Sequence, residues 1–132
     1  VNPSYLDPKF IKEGSECWIP CFNAKGNHWS FVDINNKGWA KTVKEKERIS
    51  NNASVGLYWF KSASLFKEIY SEFFLTEKNL VNGEKYIAPM YQNMINKNMK
   101  VSISTIPYNS VYVLGTPKEL NTFMKLNKKN IK

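Results

Sequence analysis

The apolar positions of the chain follow two periods, and the change falls at Lys61. Before it, apolar residues alternate or run together over strand lengths. Glu16–Asn23 (E-C-W-I-P-C-F-N) predicts a strand, which Pro20 moves toward a sheet edge or a bulge because proline has no N–H for a ladder. Trp29–Asn35 (W-S-F-V-D-I-N) predicts a second strand. Asn35-Asn36-Lys37-Gly38 is a turn, since Asn and Gly tolerate positive φ, and Trp39–Lys46 returns as the hairpin partner. Ile49–Ala53 reads as a polar loop. Ser54–Lys61 (S-V-G-L-Y-W-F-K) is continuous and apolar at strand length, the pattern of a central strand. Val1–Gly14, with its turn-forming Asn2-Pro3 and Asp7-Pro8, is a lead-in with a short helix.

Beyond Lys61, Leu65, Phe66, Ile69, Tyr70, Phe73 and Phe74 share one helical face, with Ser62 or Ser64 as N-cap. Thr76–Gly83 is a loop. Met90, Tyr91, Met94 and Ile95 mark a second helix, entered near Ala88-Pro89. Lys100–Ile106 alternates as a strand, and Val111–Leu114 predicts another, short one. Thr116-Pro117-Lys118-Glu119 has the form of a capping box opening a third helix, which carries Leu120, Phe123 and Met124 and frays into Lys125–Lys132. No repeat and no linker interrupts residues 1–132. The expectation is one α/β domain, a mixed sheet with flanking helices.

Composition narrows the class. The 132 residues are 42% hydrophobic and 14% aromatic, which excludes general disorder. The longest apolar run, around Gly56–Phe60, falls far short of the roughly 18 residues that span a bilayer. Cys17 and Cys21 would stand about 13 Å apart on a strand, too far for a disulfide, so buried free thiols are expected. Reduced thiols and a start without a secretion-like segment lead to a cytoplasmic expectation. The first residue is Val1 and not Met, as in a processed or excised piece.

Little of the residue inventory suits self-contained catalysis. His28 is the single histidine, beside Gly26-Asn27, and reads as a loop residue. Asp7 and Asp33 are the only aspartates, which leaves paired-carboxylate magnesium binding poorly supported. The six glycines stand singly, so there is no glycine-rich phosphate loop. Lys+Arg is 19 against 11 Asp+Glu, a net charge of +8. The lysines are spread along the chain, and Trp18, Trp29, Trp39 and Trp59 lie on strands with a core side. A field that draws in small phosphorylated molecules is at least as plausible as nucleic-acid binding.

Five segments occur in a telling order: W-S-F-V-D-I-N-N-K-G, V-K-E-K-E, I-S-N-N-A-S-V-G-L-Y-W-F-K, N-G-E-K-Y-I-A-P-M-Y and L-G-T-P-K-E-L. Over roughly residues 9–124 this series resembles the C-terminal half of the sugar-phosphate nucleotidyltransferases, most of all the branch of capsule and surface-polysaccharide gene clusters. These enzymes join a nucleoside triphosphate to a sugar phosphate or similar phosphorylated metabolite and release pyrophosphate. The resemblance implies the C-terminal part of a Rossmann-like nucleotidyltransferase fold, with the nucleotide-binding N-terminal half absent.

Carried over residue by residue, the family's Glu-Lys pair matches Glu45 and Lys46, the carboxylate for acceptor hydroxyls and the lysine for acceptor phosphate. Gly56 matches the glycine passing close to the acceptor, Ser30 falls where a glycine often borders it, and Glu84 lies in Asn82-Gly83-Glu84 beside the same pocket. As plain structure, Glu45 and Lys46 end a solvated hairpin strand, Gly56 is a packing glycine and Glu84 an acid at a helix start. Two departures stand out. The glycine-rich nucleotide turn ending in Arg is missing, and Val113 occupies the position of a metal aspartate. The implied Mg2+ would therefore belong to the intact enzyme, with no catalytic or metal-binding residue in this chain and the missing half as its partner. Two other readings stay open: a stand-alone, non-catalytic domain that binds a phosphorylated ligand or a protein, and a small basic nucleic-acid binder.

Overall fold

In the computed structural model, which describes residues 1–130, the chain is organised around β1 (Cys17–Asn23). Six of its seven residues are buried. On one edge β1 pairs in parallel with β6 (Val101–Ile106), from Cys17↔Val101 to Phe22↔Ile106. On the other it pairs antiparallel with two short strands in turn, β4 (Asn52–Ser54) at Cys21–Asn23 and β5 (Trp59–Phe60) at Cys17–Trp18. The hairpin of β2 (Ser30–Ile34) and β3 (Ala40–Glu45) continues the sheet beyond β4. The result is a mixed sheet of six strands flanked by helices, as the alternation of periods implied.

Two expectations are corrected together. Ser54–Lys61 is not one central strand; it divides into the end of β4 and the whole of β5, because Gly56 turns at φ +88 between them. Nor is Pro20 at an edge. It is buried in the central strand, where Ile19 and Pro20 lie opposite the break between β4 and β5. The N–H that proline lacks would have pointed into that break, so no ladder bond is lost, and the Pro20 carbonyl still accepts from Val55 N at 3.1 Å.

Side-chain alternation on β1 sends Cys17, Ile19 and Cys21 to one face and Phe22 to the other. The first face is covered by α1 (Ala63–Phe73) and α2 (Ile87–Asn96). Ser62 caps α1 by accepting from Leu65 N at 3.1 Å, and Ile69 reaches the core. From α2, Ala88, Met90, Tyr91 and Met94 are fully packed, and the Tyr91 hydroxyl donates to the Trp59 carbonyl at 3.0 Å. Gln92 Oε1 accepts from Val43 N at 2.8 Å, which occupies a donor that edge strand β3 would otherwise leave free. The second face holds Phe22, Phe31, Ala53 and Ile106 beneath Tyr5 and Leu6 of the lead-in, itself two short 3-10 helices.

Smaller departures have local causes. Asn52 and Ala53, read as loop, join β4, where the buried Ala53 faces both Phe22 and Phe31. Thr76–Gly83 contains a single 3-10 turn, Glu77–Asn79. Val111–Leu114 is not a strand; after a 3-10 turn at Tyr108–Ser110 it runs on without ladder bonds into α3 (Pro117–Asn130). Thr116 Oγ1 caps α3 by accepting from Glu119 N at 3.3 Å, and the helix continues past Lys125 instead of fraying there. Lys132 of the basic tail lies outside the described residues. Cys17 and Cys21 are buried free thiols.

Burial pushes the Cys17 thiol up to about 12, and raises Cys21 and the Tyr91 phenol as well. A folded pKa above the unfolded one stabilises the fold below the unfolded value, and that contribution is lost as pH rises toward the folded value. Unfolding free energy measured against pH should therefore fall from about pH 9 toward 12. Both thiols should resist a maleimide until the chain unfolds; rapid labelling in buffer would contradict this packing. Met94→Ala, which empties space beside Cys17, should cost about 2–5 kcal/mol in urea unfolding, and a cost near zero would contradict the core described.

Candidate functional site

The break between β4 and β5 opens a pocket of about 370 Å3. Its floor is the irregular segment Ser54–Tyr58. One wall is the hairpin, through Trp29, Ser30 and Glu45, and the other is the approach to α2, through Lys85, Tyr86 and Ile87. Segments distant in sequence thus meet where the central strand has no continuous partner.

The hairpin register explains one wall. Ser30 stands opposite Glu45 in the β2–β3 ladder, so their side chains share a face, and Ser30 Oγ hydrogen-bonds Glu45 Oε2. The Tyr58 hydroxyl donates to the same Ser30 Oγ at 3.3 Å. Burial holds the Tyr58 phenol above its ordinary value, so it stays protonated through neutral pH. Ser54 Oγ accepts from Gly56 N at 3.0 Å and fixes the turn.

Lys46 leaves the strand in the left-handed region, at φ 56, while its backbone N–H donates to the Trp29 carbonyl at 2.8 Å. A non-glycine residue there carries local strain of about 1 kcal/mol or more, held by the surrounding hydrogen bonds. Its ammonium lies 5.5 Å from the centre of the Tyr86 ring. The Tyr86 hydroxyl donates to Glu84 Oε2 at 2.8 Å, and this bond to a carboxylate raises the phenol's pKa. Glu45, Ser30 and Gly56 line the pocket, whereas Lys46 and Glu84 are outside its lining and contact Tyr86, which does line it. Lys85 lines it too, but its ammonium turns toward α1 and donates to the Tyr70 hydroxyl at 3.2 Å.

Several participants carried no assignment from sequence. Tyr58 belongs to the V-G-L-Y segment, yet only its hydroxyl's position gives it a role. Arg48, the single arginine, donates to the carbonyls of Ala24 and Gly26 and to Asn27 Oδ1, and so pins the loop that carries His28. His28 is exposed on that loop, tilted against Trp29 with ring centres 4.4 Å apart. A Cβ built at Gly56 meets no protein atom within 4 Å, and the positive φ is itself a reason for glycine, beside the expected approach to an acceptor.

Among the described residues no three His, Cys, Asp or Glu side chains gather as metal ligands. Val113 is half-buried on a separate, largely apolar groove of about 640 Å3 between Trp29, Tyr108 and α3, and offers no oxygen. Nor do the tryptophans make a stacking strip: Trp18 Nε1 donates to Ser104 Oγ and Trp29 Nε1 to the Lys25 carbonyl, while Trp39 carries Lys12 and Lys100 against its ring. No described helix is long and apolar enough to cross a membrane.

The fold is similar to the crystal structure of the nucleoside-diphosphate-sugar pyrophosphorylase from Vibrio cholerae RC9, with a TM-score of 0.77 and 29% identity over 84% of this chain. The fold is nucleotidyltransferase-like. This chain spans 47% of the length of that protein. No protein-family model and no curated protein matches the sequence.

Gly56→Ala isolates the backbone requirement. It should lower stability by about 1–2 kcal/mol in denaturant titration, because the added methyl has room but φ +88 does not suit it. An unchanged midpoint would show that the turn relaxes at no cost.

Proposed function

We propose that this chain is the acceptor-binding half of a sugar-phosphate nucleotidyltransferase, and that the nucleotide-binding half lies on another segment of the intact protein. The observation that carries the reading is that Ser30, Glu45 and Gly56 line one pocket and that Lys46 and Glu84 both contact Tyr86, which lines it too, in a chain similar over 84% of its length to a nucleoside-diphosphate-sugar pyrophosphorylase. The share of that protein's length that the chain spans, 47%, supports the division into halves. So does the exposed apolar surface of Tyr112, Leu114, Leu120 and Met124, which fits a neighbouring half of the same protein.

In the intact enzyme the acceptor's phosphate oxygen attacks the α-phosphorus of the nucleoside triphosphate in line. A new P–O bond forms, the bond to the β-phosphate breaks, and pyrophosphate leaves. The contribution of this half is positioning and charge neutralisation. Lys46, a compact charge on a long stem, holds the attacking phosphate, and the Glu45 carboxylate accepts from the acceptor's hydroxyls. Any Mg2+ that assists the leaving pyrophosphate is held by the nucleotide half. The product, a nucleotide-activated sugar or similar metabolite, fits synthesis of a capsular or other surface polysaccharide in the cytoplasm.

Lys46→Ala in the full-length gene product should weaken binding of glucose 1-phosphate or a related sugar phosphate by about tenfold or more, with nucleoside triphosphate binding unchanged. Calorimetric titration of each ligand separates the two. Equal loss of both would remove Lys46 from the acceptor site. Pyrophosphate release by residues 1–132 alone would overturn the division of labour.

A further inference from the structure

The carboxylate of Glu45 is not free to turn. Ser30 Oγ occupies its Oε2, and Tyr58 occupies Ser30. A serine hydroxyl has one proton and two lone pairs, and left alone it rotates among whatever partners are near. A phenol that donates to Ser30 Oγ removes that freedom, because the serine's own proton must then point away from the tyrosine. The remaining acceptor within reach is Glu45 Oε2. Tyr58 is itself held: its ring packs on Tyr91 with centres 5.5 Å apart, and Tyr91 is fully buried and tied to the Trp59 carbonyl.

We infer that Tyr58 is a positioning residue for the acceptor site, fixing the Ser30 hydroxyl so that it engages one oxygen of Glu45 and leaves the other to a hydroxyl of the acceptor. This rests on the reading of the pocket given above and adds the specificity device within it. A carboxylate with one oxygen committed presents a single directed acceptor, suited to a hydroxylated ligand and poorly suited to a second anion. A phenol is protonated at neutral pH and so donates to Ser30 Oγ there. Ser30, a serine where the resembled family often has glycine, supplies the hydroxyl on which the arrangement depends.

The test is a double-mutant cycle in the full-length gene product, with Tyr58→Phe, Ser30→Ala, their combination, and Glu45→Gln as reference. Affinities for glucose 1-phosphate and for nucleoside triphosphate are measured by calorimetry. Tyr58→Phe and Ser30→Ala should each weaken the sugar phosphate by roughly three- to tenfold and leave the nucleotide unchanged. The double variant should be no weaker than Ser30→Ala alone, since Tyr58 acts through Ser30. A purely structural role would move both ligands or the melting temperature. If Glu45→Gln weakens the sugar phosphate and Tyr58→Phe does not, the inference fails and the pocket reading survives. Additive losses likewise overturn it. If Glu45→Gln has no effect, the pocket reading falls and the inference with it. Should Tyr58→Phe prove unstable, Ser30→Ala decides alone, because it leaves the Tyr58–Tyr91 packing in place, and an unchanged affinity there overturns the inference.

Discussion

A strand buried on both faces and paired along both edges leaves the chain few alternatives, and β1 is such a strand. Its parallel partner β6 comes from more than 70 residues downstream, so the register Cys17↔Val101 to Phe22↔Ile106 is reached only once both helices have crossed over one face. The opposite edge is where the constraint is incomplete. Pro20 offers no N–H there, and β4 and β5 meet β1 on either side of it without joining. The site described above is a consequence of that gap. A continuous strand over Ser54–Phe60 would have placed backbone where the pocket now lies.

Strain and burial are arranged around the gap in a consistent way. Gly56 and Lys46 both adopt positive φ at the pocket, one at no steric cost and the other at a local cost held by its bond to Trp29. Polar groups near the pocket are satisfied by one another: Tyr58 by Ser30, Ser30 by Glu45, Gly56 N by Ser54. Among the described residues no buried side-chain polar atom is left without a partner. The groups near the rim are therefore preorganised before any ligand arrives, which lowers the ordering cost of binding.

Where one side-chain period held over a whole element, that element was legible in the sequence. The β2–β3 hairpin with its Asn35–Gly38 turn, the α1 face from Leu65 to Phe74, and β6 all form within a residue or two of where their periods place them. Reading failed where a local rule met a tertiary circumstance. Pro20 argues for an edge only if its N–H position faces a partner, and nothing nearby in the sequence reveals that the partner strand is interrupted. The apolar run Ser54–Lys61 conceals the turn at Gly56, because glycine in such a run fits packing and a left-handed turn equally well. Val111–Leu114 has strand composition but makes no ladder bonds. For the proposed site, the pairs Glu45–Lys46 and Asn82–Glu84 are marked in the sequence by their family-like order, whereas Tyr58 and Arg48 act through hydroxyl and guanidinium positions that only the folded hairpin brings into range.

The charge balance gives the arrangement its direction. With a net charge of +8 the chain favours anions on approach. Within that positive field the placement of Glu45 matters more than its charge. An unrestrained carboxylate beside Lys46 would tend to pair with that lysine and neutralise it. Engaging one of its oxygens with Ser30 keeps Glu45 on its own side of the pocket, and Lys46, turned out of the strand by its left-handed backbone, rests against Tyr86 instead. The two charges are adjacent in sequence, yet the fold gives them different partners, Ser30 for Glu45 and Tyr86 for Lys46, which is the separation the proposed acceptor site requires.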